Sequence, residues 1–109
     1  MNDWTRLCRL DEIPRQGARV VCRDSGDIAV FRTIEDQVFA LVDRCPHKAG
    51  PLSQGIVAGQ SVTCPLHGMK IRLDTGQAEA PDEGVTPCIA VRQDDEGTVW
   101  LHLGEADHE

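Results

Sequence analysis

Residues 43–68 read DRCPHKAGPLSQGIVAGQSVTCPLHG and set a cysteine close to a histidine twice, Cys45 with His47 and Cys64 with His67. The spacing is C-x-H, sixteen intervening residues, then C-x-x-H. Each half offers one soft anionic sulfur and one neutral nitrogen, and four such ligands from two loops fit a metal centre. Between the halves GIVAGQSV, 55–62, can run out and back as a short hairpin that sets them face to face. Gly50, Pro51, Gly55, Gly59, Pro65, Gly68, Gly76, Pro81 and Gly84 all fall within 43–84. That density of residues with special φ values means tight, shaped loops. Since these loops carry every candidate ligand, the function should sit there.

Elsewhere the chain has the period of strands. ARVVCR (18–23), DIAVFRTI (27–34), QVFALVD (37–43), VTPCIAVRQ (85–93) and TVWLHL (98–103) are short runs rich in β-branched residues and bounded by turn formers. EDQ at 35–37 and DDEG at 94–97 are polar joints that make antiparallel hairpins of neighbouring runs. LDEIP, 10–14, can supply one helical or 3₁₀ turn, and no amphipathic helix is expected elsewhere. On 98–103 Val99, Leu101 and Leu103 share one face, leaving Trp100 and His102 on the other. Trp4 and Trp100 read as core or interface packing, and an exposed outer face would make Trp100 a candidate partner contact. His102 and His108 lack a companion at ligand spacing and read as surface residues, Asp74 with Thr75 and Gly76 as a turn, and GEADHE at 104–109 as an acidic tail.

The chain has 109 residues, which predicts one domain, 1–109, with a single core. Eighteen acidic against eleven basic residues give a net charge of -7, the wrong sign for holding nucleic acid or an anionic membrane by general electrostatics. No apolar run follows Met1 and no stretch approaches membrane-spanning length, so a soluble, cytoplasmic protein is expected. Five cysteines cannot all pair within one chain. Setting Cys45 and Cys64 aside as ligands leaves Cys8, Cys22 and Cys88 as reduced structural thiols.

Two centres compete for the four ligands. A structural zinc site usually groups Cys with Cys and His with His, because one tetrahedral ion gives no reason to alternate them. Here they alternate. In a Rieske 2Fe-2S cluster two thiolates hold one iron and two imidazoles the other, so each loop must deliver one of each. On this reading Cys45 and Cys64 bind the deeper iron and His47 and His67, at the loop tips, the outer one. Pro46 and Pro65 stiffen the loops, while Gly50 and Gly68 let backbone N–H groups approach the sulfides. With every ligand position filled, the centre is an electron relay with no catalytic residue of its own. High-potential Rieske proteins carry an extra Cys in each loop and hydroxyl donors. This chain has Leu66 at one such place, Ala49 and Gly50 near the other, and no Tyr, which predicts a low potential.

Over 4–103 the chain resembles the small subunit of bacterial assimilatory NAD(P)H-dependent nitrite reductase. The resemblance lies in FR (31–32), VFAL (38–41), DRCPHKAGPLSQGIV (43–57), VTCPLH (62–67) and LDTGQAEAPDEG (73–84). It implies an all-β, Rieske-type antiparallel β-sandwich or partly open barrel with a two-loop cluster-binding subdomain at about 43–84. It also implies one 2Fe-2S cluster on Cys45, His47, Cys64 and His67, and an accessory role in nitrate assimilation. The partner would be a large subunit bearing flavin, a further iron-sulfur cluster and sirohaem, where nitrite becomes ammonium. The chain departs from related proteins at Met69, where an aromatic residue is common. The chain is similar as well to free Rieske ferredoxins, whose partners are a ferredoxin reductase and an aromatic-ring dioxygenase, and which share the ligand spacing and the TG turn at 75–76.

Overall fold

The computed structural model describes residues 4–22, 26–44, 51–64, 68–79 and 84–102. Among these, ten strands are arranged in three antiparallel sheets. The first sheet joins β1 (Trp4–Arg9), β10 (Thr98–His102) and β9 (Val91–Gln93) in that order. The second has the order β2 (Gly17–Val21), β3 (Ile28–Arg32), β4 (Val38–Val42) and β8 (Cys88–Ile89). The third is β5 (Ile56–Ala58), β6 (Ser61–Thr63) and β7 (Lys70–Arg72). Two 3₁₀ turns, Leu10–Glu12 and Leu52–Gln54, interrupt them, the first as LDEIP predicts. No helix among the described residues is long and apolar enough to cross a membrane.

The second sheet is the middle layer, and β3 explains why. Its run Ile28, Ala29, Val30 and Phe31 is buried throughout, so both faces of the strand must be covered. Ile28 and Val30 pack with Ala40, Val99, Leu101, Cys8 and Ile13 on the side of the first sheet. Ala29 and Phe31 pack with Leu41, Leu52, Val57, Val62 and Ile71 on the side of the third. One strand thus serves two cores through the alternation of its side chains. Phe31→Ala is expected to lower stability by about 3–5 kcal/mol, the usual range for an emptied aromatic core site, as read from chemical denaturation.

The two polar joints form the same turn. Thr33 N–H donates to the Gln37 carbonyl (2.9 Å) and Asp36 N–H to the Thr33 carbonyl (3.0 Å). Asp94 N–H donates to the Thr98 carbonyl (2.9 Å) and Gly97 N–H to the Asp94 carbonyl (3.0 Å). Each needs one left-handed residue: Gly97 at φ 81° in one, Asp36 at φ 67° in the other. Asp36 holds that position with help from Arg32 (2.8 Å) and Arg15 (3.1 Å). The Arg32 hydrogen bond, then that of Arg15, holds the Asp36 carboxyl below the usual carboxylate range. A depressed folded-state pKa stabilises the protein above the unfolded value and is lost as pH falls through the folded one. Asp36→Asn, which tolerates the same φ, is therefore expected to lower stability at neutral pH and to flatten the acid limb below about pH 4, measured as unfolding midpoint against pH.

Residues 85–93 correct the reading of one continuous strand. Cys88 and Ile89 pair with Leu41 and Ala40 in the middle sheet, whereas Val91 and Gln93 pair with Leu101 and Val99 in the first. The chain changes sheets at Ala90, a corner where two packed sheets share one segment. Val42 N–H donates to the Pro87 carbonyl at 3.0 Å, so the chain leaves the middle sheet after β4 and rejoins it beside the same point. Of the cysteines read as structural thiols, only Cys8 is buried, and burial pushes its thiol up; Cys22 and Cys88 are exposed. On the outer face of the first sheet the Trp4 and His102 rings meet edge to face at 5.2 Å. The Arg92 guanidinium lies over Trp4 (5.1 Å) and Trp100 (5.8 Å), and the Trp100 indole N–H donates to Asp94 Oδ2 at 3.0 Å. Both indoles and His102 are half-buried by these contacts. His108 and the acidic stretch 104–109 lie outside the described residues.

Candidate metal centre

Of the four ligands expected from the sequence, Cys64 is described; Cys45, His47 and His67 lie outside the described residues. The hairpin anticipated for GIVAGQSV is β5 and β6, paired Ile56 to Thr63 and Ala58 to Ser61, with Gly59 at φ 58° in its turn. It carries the chain from the first candidate loop to the foot of the second. There Cys64 is 1% exposed and shares the core with Leu41, Leu52, Met69 and Ile71.

The second loop is closed by its own backbone. Cys64 N–H donates to the Met69 carbonyl (2.7 Å), extending the ladder between β6 and β7, and Gly68 N–H donates to the Cys64 carbonyl (3.0 Å). Gly68 takes φ 70° to close it and is itself exposed. The cysteine before the loop is thus buried and the glycine after it exposed. A buried cysteine sulfur is the donor that one iron of a Rieske cluster takes, and Cys64 fits it. Met69, where related proteins commonly have an aromatic residue, is 4% exposed and fills the core beside Cys64, as an adaptable thioether can.

The first loop approaches the second at two levels. Leu52, fully buried, anchors its return in the core that holds Cys64. Gly55 then passes so near the second loop that a Cβ there would lie 2.2 Å from the Thr63 carbonyl oxygen. At its outgoing end Asp43 accepts two hydrogen bonds from Ser53, and the Arg44 carbonyl accepts one from the Thr86 hydroxyl. Thr86, 2% exposed, also donates its N–H to the Gly76 carbonyl at 2.7 Å. Asp74, Thr75 and Gly76 do form the expected turn, stapled by Arg72 to Asp74 at 2.9 Å. Asp43, Ser53 and Thr86 escape a reading of the sequence, since nothing but the fold brings together residues ten and forty-two positions apart.

Cys88 stands apart from this arrangement. Its Sγ lies 4.0 Å from the Asp74 carbonyl in an open groove also lined by Phe39 and Leu73. Partial burial, and then the Asp74 charge, push its thiol up, which disfavours the reactive thiolate.

Comparison with known proteins agrees with this architecture. The 3-phenylpropionate/cinnamic acid dioxygenase ferredoxin subunit of Photorhabdus laumondii is 38% identical over 103 residues, covering 91% of this chain and 93% of that protein. The vanillate O-demethylase oxygenase subunit of Pseudomonas sp. strain HR199 is 31% identical over 97% of this chain, which spans only 31% of that larger protein. A solved structure of an NADH-dependent nitrite reductase small subunit from Mycobacterium tuberculosis superposes with a TM-score of 0.79 at 25% identity, covering 93% of this chain and 95% of the other. Residues 3–102 match the Rieske-like 2Fe-2S domain family. The chain belongs to that family, an all-β electron-transfer domain whose cofactor is a Rieske 2Fe-2S cluster.

Proposed function

We propose that Cys45 and Cys64 hold one iron and His47 and His67 the other, and that the chain is a ferredoxin passing single electrons to a larger oxygenase. The observation that carries this reading is the 38% identity to a dioxygenase ferredoxin subunit over nearly the whole of both chains. When bound, the cluster accepts and releases one electron at a time. The protein's own part is to bury Cys64 in an apolar floor and to present the cluster to a docked partner. A second reading, the small subunit of an NAD(P)H-dependent nitrite reductase, rests on GPLSQGIV and PDEG in the sequence and on the likeness to the Mycobacterium tuberculosis subunit.

Tagged protein isolated from its own organism separates the two. Recovery with a small reductase and an oxygenase supports the ferredoxin; recovery with a sirohaem- and flavin-bearing subunit that consumes nitrite with NAD(P)H establishes the second reading instead. Either role calls for a potential below zero, in the lower part of the roughly -150 to +300 mV span of Rieske centres. Redox titration of the purified protein checks this, and a value well above zero contradicts it.

A further inference from the structure

The loop that contains Cys45 and His47 is shut at its base by side chains outside the ligand motif. Both carboxylate oxygens of Asp43 are engaged: Ser53 N–H donates to Oδ1 and the Ser53 hydroxyl to Oδ2, each at 2.7 Å. One residue on, the Arg44 carbonyl accepts from the Thr86 hydroxyl at 3.1 Å. Residue 43 is thus pinned to the far side of its own loop, and residue 44 to the segment that rejoins the middle sheet.

A half-buried carboxylate is a costly way to close a loop unless its hydrogen bonds do something an apolar contact would not. Charge-assisted bonds are short and directional, and two of them to one residue fix both distance and orientation. Leu52, next to Ser53, already supplies the apolar anchorage. What Asp43 adds is geometry at the foot of the ligand-bearing segment.

We propose that Asp43 and Thr86 are positioning residues, which fix the ends of the segment that bears two proposed cluster ligands. The inference rests on the ligand assignment given under Proposed function. Outer partners that orient metal ligands typically change metal affinity by about 10–100-fold when lost. Asp43→Ala is therefore expected to speed the bleaching of cluster absorbance by a chelator about 10–100-fold in the purified holoprotein. It should also displace the electron paramagnetic resonance g values of the reduced form. Asp43→Asn retains an acceptor for the Ser53 N–H and a partner for its hydroxyl, and restores most of the loss. Thr86→Val, near in shape but without the hydroxyl, speeds bleaching by a smaller factor.

Asp36→Asn is the control, since it loosens ion pairs at a different hairpin, and it leaves bleaching and g values unchanged. The proposal is overturned if Asp43→Ala merely lowers the unfolding temperature, as Asp36→Asn does, with wild-type bleaching and g values. Should Asp43→Ala not accumulate folded, Ser53→Ala removes one of the two bonds, and a wild-type bleaching rate in that variant overturns the proposal equally. Failure of the ligand assignment is read separately: Cys45→Ala protein with full iron and sulfide content would refute the assignment in a background where Asp43 is intact.

Discussion

Gly76→Ala is expected to destabilise the protein by about 2–5 kcal/mol, a large share of the 5–15 kcal/mol that holds a typical domain together. Two separate effects add. Gly76 sits at φ 77°, where any residue with a Cβ loses about 1–2 kcal/mol. The added methyl would also stand 1.9 Å from the Thr86 carbonyl oxygen and 3.2 Å from Cys88 Sγ, and forcing atoms into an occupied place costs about 1–3 kcal/mol more. The obstacle is backbone, so no rotamer change relieves it. Two other glycines separate the terms. Gly68→Ala keeps the conformational penalty, at φ 70°, but meets nothing within 4 Å, so about 1–2 kcal/mol is expected. Gly55→Ala has an ordinary φ of -81° but places its methyl 2.2 Å from the Thr63 oxygen, and should show the packing penalty alone. Denaturant midpoints for the three variants test the decomposition. Equal losses at Gly76 and Gly68 would mean that the Thr86 segment yields freely.

The second large effect concerns the cofactor. Cys64→Ala is expected to leave the fold standing and to remove the cluster altogether. Cys64 is small and lies among Leu41, Leu52 and Met69, so exchanging sulfur for hydrogen changes the core little, by about 1 kcal/mol. Neither Cys88, in the groove beside Asp74, nor Cys8, in the opposite core, is placed to replace Cys64 on the proposed iron. Visible absorbance, iron and acid-labile sulfide should all fall to background, with the circular dichroism of a β protein retained. Cys88→Ala should retain the full complement. Protein of Cys64→Ala that still carries wild-type iron and sulfide would remove Cys64 from the ligand set.

Much of the fold is legible in the sequence because burial on two faces leaves a plain mark. IAVF in β3 and VFALV in β4 are apolar runs bounded by polar turns, and both EDQ and DDEG sit where hairpins turn. Other strands leave little trace. β6 and β7 have three residues each, too few for a period to show, and are held by ladder bonds and a shared core. β1 is half exposed and its register shifts between Arg6 and Cys8, which breaks the alternation a reader would look for. The corner at Ala90 is invisible because both halves of 85–93 are strand-like and only the packing tells which sheet each joins.

The site divides in the same way. Metal chemistry restricts ligands to few residue types, so the proposed ligands Cys45, His47, Cys64 and His67 stand out in the sequence. Supporting groups carry no such restriction. Asp43, Ser53 and Thr86 are common residues, and their roles follow from distances that only the folded chain sets.

The hydrogen bond from Val42 to Pro87 has a consequence for how such a protein can be rebuilt. Because Val42 and Pro87 stand side by side, the segment between them leaves and re-enters the middle sheet at one place, like a pendant. A recipient scaffold would need two adjacent antiparallel strands, an apolar patch like Ala29, Phe31 and Leu41 to seat its inner face, and polar partners such as Gln16 and Gln37 for Val57 and Gln60. Swapping the pendant between relatives should then exchange redox character while leaving the surface of the first sheet, with Trp4 and Trp100, as the recipient had it. Electron chemistry and the surface of the first sheet become separately engineerable parts of one small chain.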